Sequence, residues 1–287
     1  MAFLEYRPST TLFHYCAPGS FEGITENGSI WLSDLQHAND PKELQLADVL
    51  DGVLAELIVK SDDPEMRAAY ANVKLDLQKM SSRFGMYSSS LSLKSDQLPM
   101  WQEYTDRGRG FAIGFRPSAF NDMPLRIQRV RYVSANFFDA LHNDVSAIIA
   151  PLLGKHTDFI ERIGPITRLL TLVTAVKDDT WLHEDEIRLV FSDMSQEPTG
   201  IPIGLLPDGT EIYTESPQRR SRNGVDITYF SKPFGRYRAG RWDPSGAISH
   251  VIIGPNNPVL PSDVSARMAE KRFKGVIVTK SRCAFRP

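Results

Sequence analysis

Apolar and polar positions divide this chain into short strands and two helical blocks. Residues 11–16 (TLFHYC) carry the aromatic and apolar side chains of a strand, which Pro18-Gly19 ends. In residues 20–27, Phe21 and Ile24 share a helical face, and Asn27-Gly28 supplies a stop before a second strand at 29–33. Asn39-Asp40-Pro41-Lys42-Glu43 reads as a helix start: Asp40 caps, Pro41 takes the first helical position and Glu43 completes a capping box. Leu50, Val53, Leu54 and Leu57 continue at helical spacing. A second helix at 64–80 is expected to pair with the first as a hairpin packed on the sheet.

Further strands are expected at 84–93, a Ser-rich stretch, and at 110–115 (GFAIGF), whose glycines admit close backbone approach. Another is expected at 125–133. Between them, 98–104 (LPMWQEY) forms a helical turn with Trp101 and Tyr104 on one face. Residues 137–176 predict two helices broken near Gly154 or His156, followed by a strand at 181–191. The Gly- and Pro-rich 198–217 predicts a long hairpin or loop. The tail gives a strand at 248–253, a helix at 261–271 and a strand at 275–279. The sum is a single α+β domain over 1–287, with a mixed, mostly antiparallel sheet and helical insertions at about 41–82 and 137–177.

With 41% hydrophobic residues and no run approaching the ~20 apolar residues of a membrane span, no membrane partner is expected. Residues 1–10 show no basic region followed by a long apolar run, so no secretory leader is expected, and Cys16 and Cys283 lie at opposite ends of the sequence. Both features suit a reducing cytoplasm. The net charge of −2 creates no global attraction to nucleic acid. Residues 216–242 depart from that balance, carrying +6 with interleaved aromatics. They read either as a solvated loop or as an anion-binding surface for nucleic acid.

A P-loop, a G-x-G-x-x-G turn and a G-x-S-x-G elbow are all absent, and the six histidines are too dispersed for a local metal motif. No metal is therefore expected. Three features remain: His14-Tyr15 within an apolar strand, Trp101 with Tyr104, and Glu184 with Glu186. A strand through 181–191 puts Glu184, Glu186 and Arg188 on one face and Ile187, Leu189 and Phe191 on the other. Two close carboxylates raise one pKa and attract a cation. Alternatively, Arg188 neutralises one of them on a half-exposed strand.

His14-Tyr15, Pro18-Gly19, Ile24, Asn27-Gly28 and Ile30 resemble the opening of diphtheria-toxin-like ADP-ribosyltransferases. Nearly the whole chain also resembles an uncharacterised bacterial family of unknown function. That resemblance runs through His14-Tyr15, 39–43, Met100-Trp101 with Tyr104, Glu184 to Arg188, and Gly254-Pro255. Together the resemblances imply an ADP-ribosyltransferase-like sheet with NAD as substrate. They imply that Glu186 stabilises the ribosyl cation and that Glu184 orients or deprotonates the acceptor. His14 would hold the adenosine-side ribose and the Tyr15 backbone the nicotinamide amide. Tyr104 would stack on nicotinamide with Trp101 behind it, and Arg107 or Arg109 would meet the pyrophosphate. The acceptor would be a nucleic acid or protein, as for a toxin or defence effector; water as acceptor would make the chain an NAD glycohydrolase. The alternative is a non-catalytic nucleic-acid-binding module on 216–242. Tyr15-Cys16 stand where the toxins have Gly and Thr, and about a hundred residues follow Glu186.

Overall fold

In the computed structural model, β1 (Leu12–Cys16) runs into α1 (Pro18–Asn27), which begins on a proline that needs no N–H partner. The helix stops where Gly28 adopts φ 60° and its N–H bonds the Ile24 carbonyl. β2 (Ser29–Asp34) follows. The structure describes residues 5–35, 45–81, 85–134, 137–152, 159–193, 204–213, 215–222 and 224–285. The predicted helix start at 39–43 and the break near Gly154 or His156 lie outside these residues.

After β2 come α2 (Gln45–Lys60), α3 (Pro64–Ser81), β3 (Gly85–Ser92), α4 (Leu98–Tyr104) and β4 (Phe111–Phe115). The single strand expected at 125–133 is two, β5 (Arg126–Arg129) and β6 (Arg131–Val133). The Val130 N–H bonds Glu186 O and the Arg131 N–H bonds Ala175 O, so the chain changes partner between them. α5 (Phe137–Ile149), α6 (Phe159–Val173) and β7 (Val176–Asp178) precede a 3-10 turn over Asp179–Glu184 and β8 (Glu186–Asp193). Four hairpin strands follow in two pairs: β9 (Gly204–Leu205) with β10 (Glu211–Ile212), and β11 (Gln218–Arg222) with β12 (Val225–Pro233). The chain closes with the pair β13 (Arg236–Arg238) and β14 (Arg241–Asp243), then β15 (Ile248–Ile253), α7 (Pro261–Glu270) and β16 (Ile277–Lys280). The described residues of 216–242 are thus largely hairpin strands rather than a loop, with many of their side chains exposed.

The main sheet has ten strands, with the path β11-β12-β2-β3-β1-β4-β15-β16 and β8 joining β3 to β5. Its pairs are antiparallel except β15 with β16. β3 is the pivot. One of its edges pairs with β8 from Gly85 to Ser92. The other is shared: β2 pairs at Tyr87 and Ser88, and β1 pairs only at Ser92. The sheet therefore forks beside residues 89–91, with α1 spanning from one branch to the other.

The expectation that α2 and α3 pack on the sheet is corrected. Leu50 and Leu54, Tyr70 and Val73, Leu141 and Val145, Ile166 and Leu169 form one apolar cluster drawn from α2, α3, α5 and α6. The two insertions bury each other's stripes, a 3.6-residue pattern being satisfied by any apolar face. A separate core of Phe21, Ile30, Phe115, Ile187 and Phe230 lies on the sheet. Among the described residues, no helix is long and apolar enough to cross a membrane.

The close approach predicted from the glycines of 110–115 is present. A Cβ on Gly110 would lie 1.9 Å from the carbonyl oxygen of Cys16. Backbone cannot yield as a side-chain tip does, so Gly110→Ala is expected to destabilise the fold by about 2 kcal/mol or more. Urea denaturation of the variant measures this, and a wild-type midpoint would refute it.

Candidate functional site

At the fork lies a cleft of about 880 Å³. Its walls come from the end of β1 with α1, from β2, from Ser88 to Leu91 of β3, and from α4, and Lys177, Glu184, Glu186, Arg188 and Arg220 are among the lining residues. The fork explains why polar side chains collect here. Backbone that neither branch pairs must find side-chain or ligand partners.

His14 fills one such position, its Nδ1 lying 2.9 Å from Ser90 O. A carbonyl only accepts, so Nδ1 carries the hydrogen, and Nε2 of the neutral ring is an acceptor. Burial lowers the imidazole pKa, offset in part by the Ser90 bond, which keeps the ring neutral at physiological pH. Tyr15 also lines the cleft. Its hydroxyl donates to Lys94 O at 3.0 Å and its ring meets Trp101 edge-on at 5.0 Å.

The acidic pair departs from the expected single strand. Glu184 ends the 3-10 turn, Asp185 adopts φ 43°, and only Glu186 and Arg188 belong to β8. Aspartate tolerates this left-handed geometry. It turns Asp185 toward Arg129 and Lys94, while Glu184 and Glu186 both line the cleft.

Lys177, on β7, lies between the carboxylates. Its Nζ donates to Glu184 Oε2 at 2.6 Å and to Glu186 Oε2 at 3.4 Å. Arg188 grips Glu186 with Nε to Oε1 at 2.8 Å and Nη2 to Oε2 at 3.0 Å, and its Nη1 donates to Thr174 O at 2.9 Å. Ser90 Oγ donates to Glu186 Oε1 at 2.5 Å, and the Tyr104 hydroxyl donates to Glu184 Oε1. All four charged side chains are buried, and two anions face two cations. The neutralisation considered for Arg188 is therefore present, within a concavity beside the first strand.

The two carboxylates are chemically distinct. Glu186 already receives four donors, as many as a carboxylate accepts. Burial alone would raise its pKa, but Arg188, Lys177 and the Ser90 hydroxyl hold it down at about 2. Glu184 receives two donors, which leaves room for a ligand. Burial, then the charge of Glu186, raise its pKa against the pull of Lys177 and Tyr104. Environments that push two acids apart divide them into a fixed anion and a proton carrier.

The sign of the Glu186 effect fixes a pH dependence. Its folded pKa lies below the unfolded value, so its contribution is present above about pH 4.5 and is lost as pH falls toward 2. Glu184 acts oppositely, its raised pKa favouring the fold at acid pH. Denaturation of Glu184→Gln from neutral pH to about pH 3 is therefore expected to show a steeper acid loss than the wild type. Identical slopes would contradict the division.

The other predicted residues lie elsewhere. Trp101 is fully buried, its indole N–H donating to Asp96 at 2.6 Å; it backs Tyr15 and does not line the cleft. Arg107 and Arg109 occupy an exposed turn outside the cleft lining, with Arg109 paired to Asp106 at 2.9 Å. The basic region is dispersed: Lys232 is buried against Glu215, Arg236 pairs with Asp122, and Arg220 enters the cleft. Glu103, His183 and Glu184 bring potential metal-ligand atoms within 4.8 Å of one another. The Lys177 ammonium already occupies the Glu184 carboxylate there.

Lys177 and Ser90 were not singled out by sequence. A lone lysine in a three-residue strand carries no periodicity, whereas the serine run at 88–90 was visible without its partner. In comparison with known families, residues 100–189 are similar to a family described as a protein of unknown function (DUF2971). The matched segment contains Tyr104, Lys177, Glu184, Glu186 and Arg188. No curated protein and no solved structure matches the chain.

Proposed function

We propose that the cleft binds NAD and that the chain is an ADP-ribosyltransferase. The observation that carries this reading is the convergence of His14, Tyr104, Glu184 and Glu186 on one cleft at the fork. The forked, mostly antiparallel sheet is consistent with the transferase-like architecture. In the proposed reaction the bond from the ribose C1′ to the nicotinamide nitrogen breaks, and its electron pair leaves with neutral nicotinamide. The acceptor nucleophile bonds C1′ and loses its proton.

The roles follow from the hydrogen-bond accounting. Glu186, saturated and ionised, is the fixed negative charge that organises Lys177 and Arg188. Glu184 has the remaining acceptor capacity and the higher proton affinity, so it holds the ribose hydroxyl or takes the acceptor's proton. This reverses the weight that resemblance puts on the second glutamate. Tyr104, anchored through its hydroxyl, offers its ring to nicotinamide, and neutral His14 offers Nε2 to a ribose hydroxyl. β1 pairs β3 only at Phe13, so the backbone edge at Tyr15 is open to an amide among the described residues.

Incubation with NAD carrying a labelled adenylate, with a cell lysate as acceptor source, tests the proposal. Label transfer and nicotinamide release are the expected results. Release without transfer would favour hydrolysis, and neither would refute the reading. A nucleic-acid module on 216–242 draws less support, because three of its seven cations are otherwise placed: Lys232 is buried and paired with Glu215, Arg236 pairs with Asp122, and Arg220 lines the cleft.

A further inference from the structure

We infer that the β13–β14 hairpin is a docking ribbon for a nucleic-acid duplex, with Arg238 and Arg241 taking phosphates of its backbone. The inference does not depend on the NAD reading, and it concerns this hairpin rather than 216–242 as a module. Among the described residues, the two strands form a small sheet of their own, paired with no strand of the main sheet. Ala239 at φ 49° and Gly240 at φ 76° join them in the tight two-residue turn that suits the twist of a hairpin.

The register sorts the side chains. Tyr237 stands across from Trp242 with ring centroids 5.4 Å apart, and Trp242 packs against the sheet core. That face anchors the ribbon. Asp122 assists at its base, taking the Tyr237 N–H at 2.9 Å and lying 3.6 Å from Arg236 Nε. Alternation then turns Arg236, Arg238, Arg241 and Asp243 to the other face, and all four are exposed. Next to the turn, Arg238 lies directly across from Arg241. Like charges so placed destabilise a strand pair. Among the described residues, neither guanidinium has a carboxylate within ion-pair distance.

Lys274 adds a cation at the base of the ribbon. Its backbone N–H bonds Ser245 O at 2.8 Å, two residues past β14, and its side chain is exposed. The Asp243 carboxyl is held below its usual range first by Ser245 and then by the charges of Lys274 and Arg238, which places both cations beside it. A repulsion left standing in the fold is relieved when an outside anion bridges the two guanidiniums.

The shape favours a duplex over other anions. A duplex carries one negative charge per ~1.7 Å of its axis. Its major groove, about 12 Å wide, admits a two-stranded ribbon. A single strand is held by bases stacked on aromatic rings, whereas Trp242 packs on the core with Tyr237 against it. A membrane surface takes apolar side chains along with cations, and the turn offers only Ala239 and Gly240. An acidic peptide is read through pockets for its side chains, while the exposed face of the ribbon is four charged residues.

Fluorescence anisotropy of the full chain with a short labelled DNA duplex of mixed sequence, over a range of salt, tests this. The wild type is expected to bind at low salt and to lose affinity steeply as salt rises. Arg238→Gln with Arg241→Gln should weaken binding about tenfold or more and lower the salt slope by roughly one per arginine. Arg238→Lys with Arg241→Lys should keep most of the affinity. Lys60→Gln, the same loss of charge at the end of α2, should change neither affinity nor slope. The urea midpoint of the double glutamine variant should equal or exceed that of the wild type, because the change removes a repulsion. A lower midpoint would mean that the arginines serve the fold, and would overturn the inference. Absence of duplex binding, or equal binding by the double glutamine variant, would overturn it too. Tighter binding to phosphatidylserine vesicles, a polyglutamate peptide or a single strand than to the duplex would replace the duplex by that partner. NAD cleavage by a chain that ignores the duplex would remove this inference and leave the transferase. Duplex binding through the hairpin without NAD cleavage would do the reverse.

Discussion

Glu186→Gln is expected to destabilise the fold by about 3–5 kcal/mol, the range for removing one partner of a buried ion pair. The amide keeps the shape but removes the charge, and its NH2 group faces donors. Arg188 and Lys177, 2% and 5% exposed, would then share the single counter-charge of Glu184. Urea denaturation followed by tryptophan fluorescence measures the loss as a lower midpoint at unchanged slope. Adding Arg188→Met should restore part of it, because the stranded guanidinium causes most of the penalty. A stable Glu186→Gln would mean that water reaches the cluster and that the saturation of Glu186 has been overestimated.

Glu184→Gln is expected to act in the opposite manner. Stability should stay within about 1 kcal/mol of wild type, since a carboxyl whose pKa is raised gains little from being ionised in the fold. Nicotinamide release from NAD should fall about 100-fold or more, the loss typical of removing a positioned acid–base group. The fall belongs in kcat rather than KM, because the amide can still accept a hydrogen bond from the bound sugar. Steady-state kinetics beside the denaturation curve separates the roles. Wild-type turnover by Glu184→Gln, with loss in a folded Glu186→Gln, would return the central role to the second glutamate.

Much of the scaffold was legible because punctuation and periodicity coincide. Pro18 and Gly28 bound α1 where the apolar spacing puts it, and the glycines of 110–115 announced the approach at Cys16. What covers a helical stripe was not legible. Leu50 and Leu54 declare an apolar face, but only folding shows that α5 and α6 cover it instead of the sheet. At the site, Glu184, Glu186 and Arg188 were visible as a local pattern. Lys177 and Ser90 reach the same carboxylates from other strands, and pairing across distant segments leaves no local trace. The phosphate role for Arg107 or Arg109 had no pattern in the sequence behind it. Both stand on an exposed turn outside the cleft lining, whereas Arg220 enters that lining from β11, far along the chain.

Arg188 has one further implication, for anyone wishing to shorten this protein. Its third contact is the Thr174 carbonyl just past α6, and Gln128 donates to Thr171 O close by. Excising the helical insertion at 137–175 as a dispensable ornament would strip both groups of their acceptors inside the sheet. A minimal version of the cleft must therefore carry a replacement cap for that guanidinium, or keep the helices that supply one.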